Sequence, residues 1–426
     1  MTHKTFKDLL IKGRGICVLE VKRDPARYFA DLLWACSHEL AFDAQCEGSR
    51  AWYVYQMICC YPDKSSFLNT LIRNLDNCRS NGGWKLQYLS EILMHFVRDG
   101  DREAEAALWR KYDQLYEVLR SKKRLPDRYF AERDDFSMLC VNLGENRNAM
   151  VRIAEDIGRL YRENSIYDGW AFDWLYAENG KRYLKTLERK AEKSENIAAY
   201  LRESRRTEEE ELQEKKNRSP SPVVVGSRLK RAPLEEKLAY MERYLGEKEP
   251  EARAQALRPF TRCPYPGDIS PVVEDMGSEC TRLRLTAGLV LENIRSDQVR
   301  HLALDRLAED PETWFPMLIR NYEDRDADFV TNFVQSMPMD HSSATYWHAV
   351  HLDVLKMADH GLKVPCQLLM HIYYSTYCSN CRCKALRQMG RRRMLTDEIL
   401  EECLYDSQEQ VRIYAKRIWN RRRIHK

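Results

Sequence analysis

The residues best equipped for chemistry form a sulfur-rich run, Cys378-Ser379-Asn380-Cys381-Arg382-Cys383, with His371 upstream and Cys403 downstream. Cys-x-x-Cys is a spacing with which two thiolates grip one zinc ion, and zinc on Cys378 and Cys381 would need two further ligands. The competing reading makes Cys381-Arg382 the opening of a packed helix, where small side chains are wanted and Cys383 faces away. That reading is adopted, and no metal is assigned. A polar knot of Asp43, Glu47 and Arg50 precedes Trp52, Tyr53 and Tyr55. It offers a carboxylate pair for proton transfer or a recognition pocket, and more simply a helix cap with a local ion pair. Arg391-Arg392-Arg393 and Arg421-Arg422-Arg423, the latter after Trp419, would hold phosphates by charge and counterion release, or serve as a polar end cap that faces water. These six arginines with Glu47 and Arg50 are the candidate partner-binding residues. No catalytic or cofactor-binding residue is assigned: Gly13-Arg14-Gly15 lacks the rest of a phosphate fingerprint, and no Gly-x-Ser-x-Gly occurs.

The elements that must position these residues read as helices. At 426 residues the chain exceeds the length at which one compact core stops growing, so it divides into domains or extends as a stack. A charged fraction of 31% beside only 17 Gly and 15 Pro describes many solvated faces and few turns, as amphipathic helices require. Apolar residues recur at helical spacing in 26–40, 47–60, 66–75, 84–97, 104–119, 134–142, 149–162 and 169–177. Pro62, Asn81-Gly82-Gly83 and Gly100-Asp101 punctuate them. Trp84, Trp109, Trp170, Trp174, Trp314 and Trp347 either line a groove or pack helix on helix. A charged stretch running into Ser219-Pro220-Ser221-Pro222 reads as a partly disordered linker over 201–232, between helical segments 1–200 and 233–426.

No run approaches the roughly 18 apolar residues of a membrane span, no signal-peptide pattern opens the chain, and 14 scattered Cys suit a reducing compartment. The expectation is a cytoplasmic protein without a membrane partner. Charge is uneven: 378–426 carries 13 Lys and Arg against 6 Asp and Glu, a basic end on a slightly acidic body.

A short signature recurs in the second half, an apolar or small residue before an Arg and an Ala three positions after it. It appears at Ala252-Arg253 with Ala256, Leu283-Arg284 with Ala287, Val299-Arg300 with Ala303, Cys381-Arg382 with Ala385, and Val411-Arg412 with Ala415. The residue before Arg and the Ala share one helix face, where the small Ala admits a neighbouring helix. The Arg is then free to bond a carboxylate or carbonyl of the next unit. The signature resembles that of the HEAT-repeat superfamily, most closely at Asp406-Ser407-Gln408-Glu409-Gln410-Val411-Arg412-Ile413-Tyr414-Ala415. The interval of 16 residues from Arg284 to Arg300 puts those two on consecutive helices.

The resemblance implies an all-α fold, an α-solenoid of stacked helix pairs in two segments joined by the charged linker. It implies no chemistry by itself. The leading expectation is a non-catalytic interaction scaffold that docks a protein partner on its concave face, with no cofactor. The alternative is a nucleic-acid-binding protein similar to the HEAT-like DNA glycosylases, which combine a basic concave surface with a carboxylate and aromatics, here using the basic C-terminal end.

Overall fold

A computed structural model describes residues 1–79, 84–121, 130–164, 170–217, 222–338 and 344–424. The chain is all-helical, and no strand occurs among the described residues. None of the described helices is long and apolar enough to cross a membrane.

Two compact units result. The first joins Met1–Asn217 to Thr396–Lys426, and the second is Arg218–Leu395. This corrects the expected boundaries, because residues 396–426 group with the N-terminal segment rather than with 233–395. The expected linker is corrected too. Glu195–Asn217 is one helix and Pro222–Leu229 another, so most of 201–232 is helical, while 218–221, with Ser219, Pro220 and Ser221, lie outside the described residues. Long side chains of alternating charge suit a solvated helix as well as a linker, which is why composition alone misjudged it.

In the first unit, local chemistry explains where helices stop and start. Lys85–Arg98 ends at Gly100, whose φ of +93° places it in the left-handed region that glycine tolerates best. Its N–H bonds to the Val97 carbonyl at 2.9 Å, and the Asp101 N–H to Phe96 at 3.0 Å, the paired bonds of a Schellman stop. The Asp101 carboxylate then accepts from the Ala104 amide and starts Arg102–Arg120. That helix buries Ala104, Leu108, Lys111, Tyr112, Leu115 and Leu119 along one face.

Links between neighbouring helices recur at similar intervals. The Tyr55 hydroxyl bonds Asp99 and the Tyr112 hydroxyl bonds Asp156, each 44 residues on. Asn74 reaches back 38 residues to the Cys36 carbonyl, and Asn179 reaches back 38 to Val141. The C-terminal helices Asp397–Cys403 and Glu409–Ile424 complete this unit against its first helices. Arg14 forms a two-pronged pair with Glu402, and the Ser407 amide donates to the Gly13 carbonyl. Lys22 lies over the Tyr405 ring and Arg412 over the Trp52 ring.

In the second unit the signature arginines fold back on their own helix starts. Arg253 Nη1 donates to the Glu247 carbonyl and Arg284 Nη1 to Ser278, each six residues upstream; in the first unit Arg412 does the same to Asp406. Arg253 also takes Asp275 through Nε at 2.9 and 3.0 Å, and Arg300 Nε takes Asp326 at 2.9 Å, so the carboxylates do come from the next helices as expected. Arg284 and Arg300 sit on consecutive helices, Thr281–Leu291 and Asp297–Arg306.

Candidate functional site: a basic groove in the second unit

Five segments of the second unit end on one groove of about 760 Å³. Pro222–Leu229 runs out into Lys230 and Arg231, the turn Arg258–Thr261 runs into Arg262, and Thr281–Leu291 into Glu292 and Asn293. Leu318–Asn321 brings Arg320, and Ala344–Asp359 brings Lys356 and His360. Cations suit these positions locally, since the last turn of a helix exposes carbonyls with partial negative charge. Among the described residues, six Lys and Arg nevertheless share the lining with a single carboxylate, Glu292.

Packing holds the walls at close range. Gly226 faces the 258–261 turn so tightly that a Cβ on it would stand 2.5 Å from the Pro259 carbonyl oxygen. Asn293 Nδ2 donates to the Thr261 carbonyl at 2.8 Å and to Leu289 at 3.0 Å, tying the floor to the neighbouring turn. Burial raises the Glu292 carboxyl above the usual range, with Asp353 adding to the effect and Lys356 opposing it. Lys356 pairs with Asp353 at 2.7 Å. Among the described residues, Lys230, Arg231, Arg258, Arg262 and Arg320 make no ion pair, and all five are exposed. Such a field attracts anions, and closely spaced cations in a concave wall focus it.

The candidates read from the sequence lie elsewhere and in separate units. Arg391, Arg392 and Arg393 are in the second unit, and Arg421, Arg422 and Arg423 in the first. Arg391 pairs with Asp359 at 3.5 Å and Arg392 donates to the Val364 carbonyl, while Arg393 occupies a turn at φ +58°. Arg422 pairs with Asp397 at 2.7 Å, and Arg423 stacks over Trp419. Glu47 and Arg50 meet in an ion pair of 3.1 Å whose side chains are 1% and 2% exposed. Glu47 also accepts from the Asp43 amide, so the knot closes on itself as the capping reading expected.

The tryptophans divide. Trp314 and Trp347 are buried, Trp109 lies under Arg152, and Trp84 and Trp174 are exposed; the Trp170 side chain is outside the described residues. None of them lines the basic groove. Of the sulfur cluster, Cys378, Cys381 and Cys383 are all buried. His371 packs edge-on against His351, and Cys403 belongs to the other unit.

Sequence reasoning missed the groove because each helix end contributes only one or two of its cations. The visible signals are the dipeptide Lys230-Arg231 and the pair Arg258 and Arg262, one helical turn apart.

No family model, no curated protein and no solved structure matches this chain.

Proposed function

We propose that this chain is a HEAT-like helical-repeat binding protein whose second unit holds the phosphate backbone of a nucleic acid along the basic groove. One observation carries the reading: five exposed cations from three separate segments line one groove without a carboxylate partner among the described residues. Phosphate oxygens would supply those partners, and arginine suits them through its forked donors. The repeated Arg bond six residues upstream, together with the 38- and 44-residue links, supports the repeat reading. Among the described residues the lining contains a carboxylate but no Trp, Tyr or Phe, which supports binding rather than the base excision that the glycosylase resemblance suggested.

The decisive measurement is fluorescence anisotropy of labelled single- and double-stranded oligonucleotides against the intact chain, from 50 to 300 mM salt. Binding that weakens steeply with salt, and is lost when Arg258, Arg262 and Arg320 become Glu, supports the proposal. Salt-insensitive binding, or equal binding by that variant, defeats it.

A protein-docking scaffold is the second reading. Met370 and Tyr374 are exposed one turn apart on Cys366–Ser375, as are Leu285 and Leu289 on Thr281–Leu291, and apolar pairs at that spacing suit a partner helix. Loss of a copurifying protein on changing Met370 and Tyr374 to Ser, with the oligonucleotides unbound, would favour it.

A further inference from the structure

The second unit brings together three side chains that the sequence separates by some thirty residues. The imidazole of His348 and the thiols of Cys378 and Cys381 place their donor atoms within 4.8 Å of one another. Each is positioned by its helix. Cys378 is the N-cap of Ser379–Arg391, and its Sγ accepts the Cys381 amide hydrogen at 3.4 Å. That bond fixes the Cys378 sulfur at the start of the helix. Cys381, three residues on, lies on the same side of the first turn. His348 comes from Ala344–Asp359, which packs on Ser379–Arg391.

A zinc ion bonded to sulfur at about 2.3 Å in a tetrahedron sets two sulfurs about 3.8 Å apart. Closing the cluster onto a metal therefore takes rotamer adjustments of about 1 Å or less per contact.

One turn after His348, His351 is 0% exposed, and both of its ring nitrogens lack a hydrogen-bond partner. Buried imidazole nitrogens without partners are rare, and a missing ion is one of the few things that accounts for them. Trp347 packs on both His351 and Tyr377, giving this corner an aromatic wall that keeps water out.

We infer that Cys378, Cys381 and His348 bind one zinc ion. Two thiolates and imidazole are a donor set that zinc prefers over hard cations such as magnesium or calcium. The site is structural in kind: it clamps Ala344–Asp359 to the start of Ser379–Arg391 and stands apart from the basic groove.

Cobalt provides the probe. The intact chain, purified with reductant and stripped by a chelator, should take up one cobalt ion with thiolate charge-transfer absorption and tetrahedral ligand-field bands, and one equivalent of zinc should bleach both. C381S and H348A should each weaken uptake by about 100-fold or more. C366S, which alters an exposed thiol of the same unit, should leave the spectrum unchanged. Absence of the thiolate band from the intact chain overturns the site, whatever the variants do. So does a band that survives C378S/C381S, or a Cys378–Cys381 disulfide in peptide maps of protein kept reduced.

Discussion

Arg14 and Glu402, 388 residues apart in sequence, meet side on: Nε stands 2.5 Å from Oε1 and Nη2 2.7 Å from Oε2. Both side chains are nearly buried, at 4% and 11% exposure, and the pair fastens the C-terminal helices to the first ones. A buried pair is costly to break singly, because the surviving charge keeps its desolvation penalty. R14M should therefore destabilise the first unit by about 3–5 kcal/mol in urea unfolding, while the double variant R14M/E402M should recover most of that. R14K should recover little, since lysine cannot make the two-pronged contact.

The groove makes a graded prediction. R262E alone should weaken oligonucleotide binding across sequences and reduce the salt slope by about one or two, as expected for lost phosphate contacts. Changing Arg421, Arg422 and Arg423 to Ser should leave that slope within error, because those residues are not among the lining of the groove. Anisotropy titrations of both variants at four salt concentrations check this.

The Tyr244, Arg253 and Asp275 cluster separates a hydrogen bond from a charge. Tyr244 donates to Asp275 at 2.5 Å, and Arg253 takes both oxygens of the same carboxylate. Y244F should cost about 1 kcal/mol and D275A about 3 kcal/mol, the larger loss reflecting an arginine left without its carboxylate. Thermal denaturation of the two variants measures the difference.

His351 predicts an acid-sensitive stability in chelator. Its pKa is about 3 when folded, against about 6.5 in the unfolded chain. The unfolded state thus binds the extra proton, and the contribution is intact above pH 6.5 and falls as pH drops towards 3. Between pH 6.5 and 5 the wild type should lose up to about 2 kcal/mol that H351Q keeps. Parallel slopes in urea titrations at the two pH values would refute the assignment.

Much of the helical pattern was legible because it depends on nearby residues. Gly100-Asp101 carries a stop and a start in two positions, and the arginine signature carries a bond that spans six residues. What escaped depends on contacts between distant segments. Gly13-Arg14-Gly15 looked like a broken phosphate loop, but its backbone and arginine receive Ser407 and Glu402 from the far end of the chain. The sulfur run suggested His371, whereas folding brings His348 to it from an earlier helix. Charge misled in a similar way. The conspicuous arginine runs are largely engaged with Asp359, Val364, Asp397 and Trp419, while the unpaired cations of the groove are scattered over 230–320.

The first unit is assembled from two stretches of chain with all of 218–395 between them. At about 5–20 residues per second, a ribosome spends roughly ten to forty seconds on that insertion. Throughout that interval Arg14 lacks Glu402 and Trp52 lacks Arg412, so the earliest helices wait beside the translation machinery with an unfinished face. The second unit is contiguous and can mature first, and the oldest part of the polypeptide reaches its final form last.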